Sequence, residues 1–489
     1  MRLDVRREAQ WHGRQQLAKK EFPKVHFYDH DLSDMYDFTF NRLREAWKKG
    51  TGENGLQNRY LSLPTSDRIN QIEACAATFF LVYSNRSYPA HALLDNFYAK
   101  QEPDGAIRGE YSEKTGKPVS HRANPEGVLP PLFAWAEHNI YHKIGLKKRV
   151  KDVMPVLSRH FAWLEKTFRH DNGLYAVPLE ATGMANSPRR EAFYPVDFNS
   201  QMALNALYLS AMAEILNDKE TSYQFKKAYF GLKTRINAQM WNEKERMYYD
   251  LDRKGAQVKV KSIASFWPLL AEIPNEAKSE ALIQNLGDPH TFGLDHPFPT
   301  LAASEKEFDP RGGGYRGSVF PHLTYMVIKG LEKYGKFELA RESAVKHLYY
   351  VLENLHTEKG YTGSLYEAYS PAQEGPAVWS GHPDFPRSMF LPFAGLSTIA
   401  LMIENVIGMY ISLPRKTVDW IIPNLEIMGI EDLALKRNMI TILSNKSGRG
   451  WEIRLESEKL YYLTINILNA KKKTLPIPSG KCSILIDKI

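Results

Sequence analysis

Three consecutive glycines, 312–314, open a run in which Arg311, Tyr315, Arg316 and His322 fall within a dozen residues (DPRGGGYRGSVFPHLTYMVIKGLEKYG, 309–335). Glycines there let backbone approach a ligand closely, while arginines and a tyrosine offer forked donors and a stacking face. A second stretch, LYEAYSPAQEG (365–375), sets Glu367 between two tyrosines, ahead of Pro371 and Gly375, where a loop is expected. A cationic, aromatic loop facing an acid on another loop has the chemistry to hold a sugar. A glutamate in that setting can activate water, since a neighbouring hydroxyl can orient the carboxylate. An exposed, idle glutamate is the plain alternative.

Further candidates surround this pair. Trp267 in ASFWPLL and Trp379 in GPAVWSGHPDFP are candidate stacking platforms, with core packing as the alternative, above all for Trp267. Arg189, Arg311 and Arg316 suit sugar hydroxyls or a substrate carboxylate; a loop-anchoring ion pair explains each one equally well. GGGYRG lacks the Lys-Ser/Thr pair of a phosphate loop, which argues against nucleotide binding. No HExxH or Cys/His cluster appears, so neither a metal nor another cofactor is expected; His138 and His142, at helical spacing, read as ordinary helix histidines.

The elements that must position these residues are mainly helical. From about Asp31 to Leu413 apolar residues recur at three- and four-residue spacing, as in Met202, Leu204, Leu207, Leu209, Met212 and Ile215. The same period predicts helices within 129–145, 153–168, 223–241, 325–335, 339–355 and 394–408, most of them followed by Gly, Asn, Asp or Pro. Between helices lie segments mixing aromatics with turn residues, such as KQEPDGAIRG and RHDNGLYAVP, the pattern of a helix-hairpin ring with functional loops. After Pro414 the period becomes 2, clearest at Trp451, Ile453 and Leu455, which predicts strands. Two domains are expected, 1–415 helical and 416–489 a small antiparallel β domain giving structural support.

The bulk numbers agree with a globular chain of 489 residues, 43% hydrophobic and 25% charged. A formal charge of +8 is spread along the chain, with KKR at 147 and KKK at 471 the densest runs, so nucleic acid is not the expected partner. Cys75 and Cys482 are too few and too far apart for a disulfide framework. No apolar run approaches the roughly 18 residues of a membrane span, and the charged start offers no export segment. A soluble protein is expected, cytoplasmic or periplasmic with a signal removed.

Three stretches carry a family resemblance. GGGYRGSVFPHLTYMVIKGLEKYG is similar to the glycine-rich loop and following helix of the (α/α)6-barrel glycoside hydrolases of the trehalase and glucosidase type, families 37 and 63, including mannosylglycerate hydrolases. TGMANSPR (182–189) resembles the segment that carries their general acid, and YEAYSP the one that carries their general base. QEPDG, PPLFAWA and Pro195-Val196-Asp197 add to the likeness, which spans most of 71–408. The resemblance implies a mainly α chain, an (α/α)6 toroid with its β domain. It also implies hydrolysis of an α-glycosidic bond in a small saccharide or glycoside, acidic ones included, with inversion.

Carried across by position, the base falls on Glu367, and the acid falls on Ala185, which cannot donate a proton. Asn186, Ser187, Pro188 and Arg189 continue in register. A second departure is Ile72-Glu73, where the relatives have Trp-Asp. For the acid, Asp197 is the first candidate, with a helix cap as its alternative role, and Glu180 the second, with a structural or ligand-orienting role as its alternative. Otherwise residue 185 is a disabling substitution, or the chain is a carbohydrate-binding lineage that lost the acid. A lyase using Tyr315 or His322 is a further alternative, against which the family register stands.

Overall fold

The computed structural model describes residues 3–7, 22–56, 59–63, 66–356, 363–448, 450–468 and 471–486. Of the charged opening read as lacking an export segment, residues 1, 2 and 8–21 lie outside them. The helices are α1 (His30–Ala46), α2 (Gln71–Leu81), α3 (Ala90–Tyr98), α4 (Phe133–Ile144), α5 (Lys147–Phe168), α6 (Val196–Ile215), α7 (Lys219–Gln239), α8 (Trp267–Leu270), α9 (Glu276–Gly287), α10 (Pro321–Lys333), α11 (Phe337–Leu355) and α12 (Leu391–Gly395). The last of these runs on as a π-helix, Leu396–Ile407. Every helix expected from periodicity is present, several starting a few residues earlier than the apolar pattern suggests.

Two kinds of helix alternate, and their sequences say why. α6 buries residues on all its faces, from Val196 through Ala213, as a helix apolar all round must. α7 buries only Ser222, Tyr229, Leu232 and Ile236, a single stripe. The buried kind forms a cycle: α2 touches α4, α4 touches α6, α6 touches α8, α8 touches α10, and α10 touches the π-helix, which returns to α2. α3, α5, α7 and α11 pack outside that cycle, each against at least one of its members.

One polar cluster joins the inner helices. Glu404 on the π-helix, 3% exposed, lies 2.9 Å from Lys329 of α10 and 3.3 Å from Lys143 of α4. Tyr83 and Tyr325 donate to the same carboxylate, at 2.6 and 3.1 Å. The two ammonium groups and these donors outweigh burial and hold the Glu404 carboxyl at about 2.

The β part differs from expectation in two ways. A six-stranded antiparallel sheet runs in the order Leu3–Arg7, Gly480–Ile486, Gly450–Ser457, Asn438–Ser447, Met428–Leu435, Lys24–Phe27. A boundary at 415/416 therefore does not divide the chain cleanly, because two strands from before the helices complete the C-terminal sheet. The second sheet, Met409–Ser412, Thr417–Ile422, Tyr461–Ile467 and Lys471–Ile477, contains one parallel pair, Thr417–Ile422 with Tyr461–Ile467. Period 2 reports that a strand has a buried face and says nothing of which strand it pairs with. The fully buried Trp420 donates its indole N–H to the Ile407 carbonyl at 2.7 Å, seating this sheet on the end of the π-helix.

Replacing Glu404 by Gln leaves the buried Lys143 ammonium without its carboxylate partner, while Lys329 keeps Glu332 at 2.8 Å, at a cost of about 3–5 kcal/mol, to be read as a lower urea midpoint. Because the folded Glu404 carboxyl sits below its ordinary 4.5, its contribution is complete above that pH and fades as pH falls toward 2. The gap between the native chain and Glu404→Gln therefore narrows in acid.

Candidate active site

Four loops meet at Glu367. Val319 and Tyr369 exchange backbone hydrogen bonds at 2.9 Å in both directions, stitching the glycine-rich loop to the glutamate loop. Gly313 N–H donates to the Val378 carbonyl, and Val378 N–H to that of Arg311, both at 2.9 Å, which adds the loop of Trp379. Glu367 N–H donates to the Arg387 carbonyl at 2.9 Å, adding the segment before α12. Asn186 brings in the fourth: its amide donates to the Gly313 carbonyl at 2.9 Å and accepts from Tyr315 N–H at 2.7 Å.

Gly314 shows why the glycine run is needed. Its φ of +65° is left-handed, and a Cβ there would stand 2.9 Å from the Asn186 amide and 3.0 Å from the Trp379 ring. Backbone, Asn186 and Trp379 thus lie against one another. Trp379 is half-buried and stacks on His382 at 3.7 Å. Tyr315, also half-buried, stacks on Phe320 at 4.6 Å. Burial, helped by the charges of Glu367 and Glu73 and opposed by Arg387, pushes the Tyr315 phenol above its usual range, so it remains a donor.

Glu367 itself is 12% exposed in its side chain and held by Arg387, whose Nε and Nη2 donate to its two oxygens at 2.9 and 2.8 Å. The same Nη2 donates to Glu73 at 3.0 Å. One guanidinium therefore faces two carboxyls. Desolvation raises Glu73 to about 7, with Glu367 and Glu110 adding to the rise and Arg387 opposing it.

The other expected residues divide into three groups. Ala185 is exposed on the loop after the short helix Leu179–Thr182, and Glu180, half-buried, lies on that helix. Arg311 is exposed, 3.5 Å from Asp309, and Arg316 is half-buried with its Nε left without a partner among the described residues. His322, half-buried against Phe393 at 4.0 Å, is pulled down by burial to about 3 and so is neutral at ordinary pH.

Three expectations are corrected by burial. Asp197 has no exposed surface; it lies inside the first turn of α6, not before it, and accepts from Arg189 at 2.8 Å and from Phe198 N–H at 3.0 Å. A carboxylate so enclosed has no path to a leaving oxygen. Arg189 is equally enclosed, bonded to Asp197 and, at 3.1 and 3.3 Å, to Asp250, so its forked donors serve the fold. Trp267, 5% exposed, is a core residue at the start of α8. Sequence reasoning missed Arg387 and Asp250 altogether, since neither has a spacing relation to the residues it binds. Glu73 was visible only as an acid standing where relatives of the resembled type also have one.

Residues 90–388 match the mannosylglycerate hydrolase MGH1-like glycoside hydrolase domain, and residues 408–489 match the trehalase C-terminal domain. The chain belongs to the MGH1-like glycoside hydrolase family. An uncharacterized protein of Borreliella burgdorferi is 46% identical over 97% of this chain and 100% of its own length. A GH63 mannosylglycerate hydrolase of Thermus thermophilus, solved in complex with glucose, aligns with a TM-score of 0.60 at 18% identity over 75% of this chain and 99% of its own. A GH78 family rhamnosidase of Bacillus sp. GL1 aligns with a TM-score of 0.66 at 13% identity, over 92% of this chain and 43% of its own. At such identities the likeness to these two structures is one of fold.

Asn186→Ala removes two hydrogen bonds between loops, worth about 0.5–1.5 kcal/mol each. Amide hydrogen exchange is expected to quicken at Gly314 and Tyr315 while the amides of α10 keep their protection.

Proposed function

We propose that the protein is a glycosidase cleaving the α-glycosidic bond of a small saccharide or glycoside, at the mouth of an (α/α)6 toroid. The closed cycle of inner helices, ringed by outer ones, supports the toroid. The observation that carries the activity is Glu367: a shielded carboxylate on a loop tied to the glycine-rich loop, with Tyr315, Asn186 and Trp379 around it. The MGH1-like family match gives the reaction class.

In this reading Glu367 is the general base, deprotonating the water that attacks the anomeric carbon. Trp379 and Tyr315 supply ring faces, Asn186 an amide, and Arg311 and Arg316 cationic donors for hydroxyls or an acidic group. The similar Thermus enzyme has been solved with glucose and, separately, with Tris and D-glycerate, which supports a small saccharide joined to an acid as the substrate class. Inversion is what the resemblance carries to this chain: the base deprotonates water on one face, and an acid protonates the leaving oxygen on the other, roughly 6.5–9.5 Å away.

A second reading, a carbohydrate-binding protein without turnover, is favoured by two observations. Position 185 holds an exposed alanine, and both oxygens of Glu367 already accept from Arg387. Assays on trehalose, glucosylglycerate, mannosylglycerate and small α-glucosides separate the two. Hydrolysis by the native chain, lost by about 10²–10⁴-fold in Glu367→Gln, is expected, and Ala185→Asp is expected to raise the rate. Sugar binding with no turnover in either the native chain or Ala185→Asp would establish the binder instead.

A further inference from the structure

The loops of the site are also tied to the segment that follows α9, through residues the proposed chemistry does not use. Thr300, fully buried, donates its backbone N–H to the Ser318 carbonyl, and its hydroxyl accepts from Gly317 N–H, both at 3.1 Å. Earlier in the same segment, Nδ1 of His296 lies 3.2 Å from the carbonyl of Ser370, a residue of the glutamate loop. One short stretch of chain therefore holds the glycine-rich loop at one end and the glutamate loop at the other.

Beyond His296 the contacts run on into the helices. His296 Nε2 stands 2.9 Å from Nδ1 of His347 on α11, and His347 Nε2 stands 2.7 Å from the hydroxyl of Ser397 on the π-helix. His296, His347 and Ser397 have no exposed surface. Burial, with no carboxylate among their hydrogen-bond partners, keeps both rings neutral: it pulls His347 down to about 3, and at His296 the facing imidazole adds to the fall. A carbonyl can only accept, so the single N–H of neutral His296 is on Nδ1. Its Nε2 then accepts from His347 Nδ1–H, and His347 Nε2 accepts from Ser397. One carbonyl thus fixes the tautomer of both rings, and it is the one that free histidine disfavours.

The same pair seats a side chain next to Glu367. The ring of Tyr369, with no exposed surface, packs edge-on at 5.9 Å from His296 and 6.4 Å from His347. Its phenol oxygen accepts from the backbone N–H of Tyr366, the residue before Glu367, at 3.1 Å. Two routes therefore lead from the imidazoles to the backbone on either side of Glu367, one through the Ser370 carbonyl and one through the Tyr369 phenol. We propose that His296 and His347 are positioning residues for Glu367: neutral and each protonated on Nδ1, they relay a hydrogen-bonded hold from the π-helix to the glutamate loop. The catalytic part of this proposal rests on the glycosidase reading above.

The full chain with isotope-labelled histidine rings tests the relay directly. Long-range proton–nitrogen correlation spectra, assigned through the signals lost in His296→Gln and in His347→Gln, are expected to show a protonated Nδ1 and a bare Nε2 on both rings at neutral pH. A proton on Nε2 of either ring overturns the proposal. The positioning duty is read from a matched pair of variants. In His296→Asn the side-chain amide stands where Nδ1–H stood and still donates to Ser370, whereas in His296→Gln it stands at the place of Nε2. Both variants remove the ring, so a merely structural role gives equal losses. His296→Asn is expected to keep kcat near native, and His296→Gln to lower it by about 10–100-fold at unchanged KM. Amide exchange at Tyr366, Glu367 and Tyr369 is expected to quicken in His296→Gln alone. Equal losses of kcat, or native exchange in His296→Gln, overturn the proposal and leave the glycosidase standing. Absence of turnover in the native chain overturns the glycosidase, and the exchange contrast then decides the positioning by itself. Tyr369→Phe, which loses only the phenol, covers early melting of both His296 variants: faster exchange at Tyr366 is expected, and native exchange there overturns the proposal.

Discussion

A guanidinium with no exposed surface sets the geometry of the site. Arg189 is bonded to Asp197 within α6 and to Asp250 on the short strand Asp250–Leu251, and Asp250 also accepts from the first N–H of α6, that of Val196, at 2.7 Å. Buried charge is tolerated only when paired and hydrogen-bonded, and here every member of the trio is. Arg189 reaches Ser187 and Thr182 as well, so the loop of Ala185 and Asn186 is anchored at both ends to one rigid centre. Asn186 then passes that rigidity to Tyr315 and the glycine run.

Above this centre, Arg387 plays the opposite part. It is 35% exposed in its side chain, and it belongs to a loop and not to the core. Its charge divides between Glu367 and Glu73, and it opposes the rise that desolvation and the Glu367 charge impose on Glu73. A shared cation of this kind can hold two acids in register for chemistry, or quiet both in a protein that only binds.

The burial of Asp197, Arg189 and Trp267 teaches a common lesson. Each has the residue type of a ligand contact, and Asp197 and Arg189 lie in segments that resemble functional ones. Type and register are properties of the chain, whereas exposure depends on which neighbours the fold stacks above the residue. Polar residues near active sites often serve the loops that carry the working groups, and only packing separates the two duties.

The sequence alone determined the helices, because apolar spacing at 3.6 residues is local, and the strands after Pro414, because period 2 is local too. It also determined that Glu367 and the glycine run belong to loops, since Gly and Pro act on their own backbone. Tertiary structure decided the rest: that strands near the N-terminus complete the C-terminal sheet, that Asp197 faces Arg189, and that Arg387 joins Glu367 to a glutamate far back in the chain. Such pairings are made by chain closure over long separations, and no local pattern of residue types records them.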